Sequence, residues 1–136
     1  MRATLAIIVL AVAVSSCTNN SNSTSTTTPS TPRTTDTLTG TVQVKGSSFQ
    51  PFTVTTTGQV DATLTAAGPP STIIMGVGIG TTGSGTCVVL AGASTQIAAG
   101  GAVPSGILTP GTYCLLVSDI GNQTAAVTWT ATVTHP

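Results

Sequence analysis

Few residues in this chain have the type and spacing to do chemistry. Gly78-Ile79-Gly80-Thr81-Thr82-Gly83 matches the glycine pattern that cradles a dinucleotide, directly after an apolar run. That pattern works only when its third glycine opens a helix whose amides face a pyrophosphate. Here Ser84-Gly85-Thr86-Cys87-Val88-Val89-Leu90 follows, a turn and then another strand. No lysine is placed for a P-loop, and the next acidic residue is Asp119. The glycines therefore read as structural: Gly76, Gly78 and Gly80 line a strand face that another backbone or side chain approaches, and Gly83 and Gly85 form a turn.

The acid–base inventory is equally thin. His135 is the only histidine, one residue from the end of the chain, where fraying is expected. Asp61 and Asp119 are the only carboxylates after residue 37, too few for a Ser-His-Asp triad or a paired-acid site. Asp119 precedes Ile120-Gly121-Asn122, which reads as a turn, or else as a weak calcium site with Asn122 and backbone carbonyls. The turn is the better reading, because calcium wants six to eight oxygens. The expectation is a non-enzyme without metal or cofactor.

The whole chain has three Lys or Arg, three Asp or Glu and one His in 136 residues, for a formal net charge of zero. Nucleic acid is excluded as a partner, since backbone binding needs clustered cations to displace counterions. Thr- and Val-rich text punctuated by Gly and Pro reads as all-β. Alternation supports it: Val42 and Val44; Phe52 and Val54; Val60, Ala62, Leu64 and Ala66; Ile73, Met75, Val77 and Ile79. "TCVVLAG" is a short buried run, and Tyr113, Leu115 and Val117 alternate with Cys114, Leu116 and Ser118. Ala125, Val127, Trp129, Ala131 and Val133 face inward and Thr128, Thr130, Thr132 and Thr134 outward. About seven short strands predict a single small antiparallel β-sandwich over residues 38–136.

The N-terminus carries an address. After Met1-Arg2, residues 3–14 are apolar but for Thr4, too short for a bilayer span but suited to a secretion signal over residues 1–16. Val14-Ser15-Ser16-Cys17 resembles the lipobox of bacterial lipoproteins. The resemblance implies cleavage before Cys17, diacylglyceryl attachment to its thiol, and a chain anchored in the bacterial cell envelope. The alternative is an ordinary secretory signal with an incidental cysteine. Thr18 after the cysteine points, by the same family analogy, to the outer membrane or cell surface. Residues 17–37 then form a lipidated Ser/Thr/Asn/Pro-rich tether that cannot bury anything. About 20 flexible residues span on the order of 25 Å. With Cys17 acylated, Cys87 and Cys114 remain to pair outside the cytoplasm. Closing a loop of about 28 residues is worth roughly 3.6 kcal/mol in the chain-entropy model. A two-cysteine metal site lacks partners.

Phe49 to His135 is similar to the bacterial pre-peptidase C-terminal domain, a small extracellular β-sandwich. "FTVTTTGQVDATLTA", "LTPGTYCLLVSDIGN" and "AVTWTATVTH" carry the likeness. That family's middle strand often alternates acidic and aromatic residues, which "TIIMGVGIG" does not. Trp129 and Tyr113 fall on core faces, leaving Phe49 as the least committed aromatic. The Thr128-Thr130-Thr132-Thr134 row resembles part of an ice-binding surface, but is more simply a solvent-facing strand. The functional expectation is a lipid-anchored, non-catalytic module that binds a protein or glycan partner. A self-associating structural component of the envelope is the alternative.

Overall fold

The computed structural model describes residues 31–136, so Cys17, the signal and most of the tether lie outside the described residues. Eight strands follow one another: β1 (Thr34–Val42), β2 (Ser47–Val54), β3 (Gly58–Gly68), β4 (Met75–Gly83), β5 (Thr86–Ile97), β6 (Ala102–Leu108), β7 (Gly111–Ser118) and β8 (Val127–His135). They form two four-stranded antiparallel sheets, ordered β1-β8-β3-β6 and β2-β7-β4-β5. The inner faces pack on one core, and the protein is an all-β antiparallel sandwich.

Period-two alternation builds that core. Val127, Trp129, Ala131 and Val133 of β8 meet Val60, Ala62 and Leu64 of β3, all buried. From the other sheet come Met75, Val77 and Ile79 of β4 with Tyr113, Leu115 and Val117 of β7. Tyr113 donates its hydroxyl to the Thr109 carbonyl at 3.0 Å, satisfying a polar tip that packing draws inward.

Several expectations are corrected. β1 begins at Thr34, so Thr34 to Thr37, read as tether, are paired with β8. Val44 lies beyond β1 and is exposed. A bulge after Leu64 turns Ala66 outward and buries Ala67 instead. Ala125 is exposed, because β8 starts only at Val127. The additional strand is β6, whose Pro104 and Gly106 broke the alternation and which buries Val103. "TCVVLAG" is not a buried run: Val88 is 61% exposed, and β5 lies at a sheet edge. His135 is not frayed. Its ring is buried beside Phe52, and Nε2 lies 3.0 Å from Asp36 Oδ2.

Candidate functional site

Cys87 and Cys114 form a disulfide with their Cα atoms 6.0 Å apart. Cys87 belongs to β5 and Cys114 to β7, with β4 lying between those strands. In a flat sheet two strands flanking a third are about 9.6 Å apart. The bond therefore holds the start of β5 over the outer face of β4. Gly80 is where the two backbones meet. A Cβ there would collide with the Val88 carbonyl oxygen and sit 3.0 Å from Val89 Cα.

β5 absorbs this displacement in a large bulge. Gly80 is opposite Val89 and Gly78 opposite Ser94, so Ile79 alone faces four residues, Leu90 to Ala93. Gly92 within it has φ of 75°, a left-handed conformation that glycine adopts without strain. Beyond the bulge, Ser94 to Ile97 pair normally with Met75 to Gly78.

A groove of about 380 Å³ results on the outer face of this sheet. Gly76 and Gly78 form its floor; Leu116, Ser118 and Ile120 line one side, Val89, Ser94 and Gln96 the other. Among the described residues, no charged side chain lines it. Phe49 is half-buried beside it, since it is paired with Leu116 across β2 and β7. Thus the least committed aromatic in the sequence stands at the margin of the groove.

Asp119 fixes the Ile120 rim. Its Oδ2 accepts the Lys45 amide at 2.7 Å, and its Oδ1 accepts those of Gly121, Asn122 and Gln123 at 2.8, 3.1 and 3.3 Å. These donors, the Lys45 amide foremost, hold the carboxyl below its ordinary pKa. The Asn122 side-chain amide donates to the Ile74 carbonyl at 3.0 Å and ties the loop to β4. Four N–H groups converging on one carboxylate suit a turn and oppose a cation. Among the described residues, no group of three or more His, Cys, Asp or Glu is placed to hold a metal.

The other candidates stay apart. Asp61 pairs with Arg33 at 2.6 Å on the surface, and His135 with Asp36 inside the other sheet's edge. Gly78 to Gly83 lie within β4, and the third glycine leads into a two-residue Ser84-Gly85 hairpin rather than a helix. The threonine row proves to be double. Thr35, Thr37, Thr39 and Thr41 are registered against Thr134, Thr132, Thr130 and Thr128. A twist of about 20–25° per strand keeps such rows from forming a planar lattice. Thr35 and Thr134 hydroxyls bond to each other at 2.9 Å, and Thr65 and Thr128 bond to carbonyls. A polar coat for a sheet poor in charge is the result.

No family model matches the chain, and no curated protein matches it.

Proposed function

We propose that this protein is a lipid-anchored, non-catalytic binding module of the bacterial cell envelope. The groove over Gly76 and Gly78 is the observation that carries the reading. Ser118, Val89 and Ser94 close in over the bare Gly76 and Gly78, and the groove of about 380 Å³ that they border, walled by hydroxyl, amide and aliphatic groups, suits an extended uncharged chain. A neutral glycan or polypeptide segment has that chemistry, and half-buried Phe49 is the cross-strand neighbour of Leu116 in the groove's wall. The lipobox-like Val14 to Cys17 supports the anchor, and the likeness to the pre-peptidase C-terminal domain supports an extracellular setting.

Photo-cross-linking on intact cells tests the binding role, with a benzophenone amino acid at Ser94 in the groove and at Thr37 on the opposite face. The expected result is a heterologous adduct from Ser94 and none from Thr37. Equal labelling from both positions, or none from Ser94, overturns it. Cys17→Ser is expected to move the protein from membranes to the soluble fraction; retention in the membrane rejects the anchor.

One observation favours the alternative of self-association. β2 carries Pro51, β6 carries Pro104, and β5 is bulged, whereas the edge strand β1 runs nine residues without proline or bulge. Among the described residues, the Gln50 amide, donating to the Thr39 carbonyl at 3.0 Å, covers part of that edge. Homotypic adducts from Thr37 would support this reading instead.

A further inference from the structure

β5 is the longest strand, yet it supplies none of the fully buried core side chains; Leu90, Ala93 and Ile97 are only partly buried against the core. What holds its first half is backbone pairing of Thr86 to Val89 with Gly80 to Gly83, together with one covalent bond from Cys87 to β7. That bond lies on the outer face of the sheet rather than between the sheets, since Cys114 alternates with the inward Tyr113 and Leu115. The segment it restrains also shapes two surfaces. Val89 forms a wall of the groove, and Leu90 to Ala93 roof an apolar cleft of about 220 Å³ that reaches Val60 and Ile79.

We infer that the Cys87–Cys114 disulfide is a redox clip, whose reduction releases Thr86 to Ala93 and opens the groove while the sandwich core stays folded. Attack falls on Cys87, which is half-buried, whereas Cys114 is fully buried. A dithiol reductant supplies a thiolate that bonds to Cys87 Sγ and expels Cys114 as thiolate. Its second thiol then displaces Cys87, so the reductant leaves as a disulfide and two protons and two electrons reside on the cysteines. With the clip open, Thr86 to Val89 are held over Gly80 by edge hydrogen bonds with β4, and Leu90 and Ala93 only by partial packing against the core. Strands with few buried contacts open locally at free energies well below that of global unfolding.

This device concerns the groove assigned above, but its test reads the strand whether or not a ligand binds there. Amide hydrogen exchange is followed by mass spectrometry on the oxidised chain, on the chain held in millimolar dithiothreitol, and on a Cys87→Ala/Cys114→Ala variant. Alkylation counts the thiols in each sample. The expected result is two new thiols on reduction and roughly 10- to 100-fold faster exchange across Thr86 to Ala93. Protection in β1, β3 and β8 is expected to persist in the reduced and variant chains. Loss of protection in both sheets together overturns the proposal, because the bond then holds the fold. So does unchanged exchange in β5 after both thiols appear, or a bond that resists the reductant until the chain unfolds. If the variant fails to fold, the chemically reduced wild-type chain still decides the matter.

Discussion

β8 and β5 are written in similar letters and do opposite things. β8 pairs on both sides and buries every second residue from Val127 to His135. β5 is three residues longer, pairs in its sheet only with β4, and buries nothing completely. Valine shows the difference: Val133 is fully buried and Val88 is 61% exposed. In β8 alternation serves packing. In β5 the chain is bent, clipped and bulged, and its backbone rather than its side chains shapes the surface. The contrast teaches that core packing and surface shape are drawn from separate strands here.

The largest expected effect is at the contact between β5 and β4. Gly80→Ala puts a methyl against the Val88 backbone, which has no rotamer to yield, and is expected to destabilise by about 3 kcal/mol in urea unfolding. Gly83→Ala, in the same strand with open space around it, is expected to cost less than about 0.5 kcal/mol. Equal effects would mean that β5 does not lie on β4. Next comes valine truncation: Val133→Ala is expected to cost about 2–3 kcal/mol and Val88→Ala under about 0.5. Similar losses at both would erase the division between core and surface strands.

The rim of the groove gives a smaller, pH-dependent signal. Since the Asp119 pKa is depressed on folding, its contribution is complete above the ordinary value of 3.8 and drains away as pH falls through the folded value. Asp119→Asn is expected to flatten the acid limb of the stability profile while leaving its shape near neutrality unchanged. The one substitution expected to stabilise is Lys45→Gly. Lys45 has φ of 60°, and glycine is expected to stabilise by up to about 1 kcal/mol, read as a rise in urea midpoint.

Inward and outward residues of β4, β7 and most of β8 were legible in the sequence, because burial of one face imposes strict alternation on them. β6 was not, because Pro104 and Gly106 interrupt its pattern and register comes from pairing with β3. The cysteine pair was legible from parity, yet its consequence was not: no local signal says that the bond crosses a third strand. The glycines of "GVGIG" marked a close approach correctly. Only the tertiary pairing shows that one of them meets backbone while two others floor a groove. Asp36 was assigned to the tether, since the threonines around it look the same in a strand or a linker.

The placement of β1 has a mechanical consequence. Thr34, where the chain enters the sandwich, is paired with His135, while Val42 lies at the opposite end near the loops that hold Lys45 and Asp119. The rim of the groove belongs to that far end, through Ser118 and Ile120. A load applied between the N-terminal side and a partner held at the rim therefore runs along β1. All nine residue pairs with β8 then resist it together in shear, rather than parting one after another. The Arg33 guanidinium, bonded to the Gln59 and Thr134 carbonyls at 3.0 and 2.9 Å, takes the first of the strain. A module built this way resists pulling along its length and yields most easily when peeled sideways.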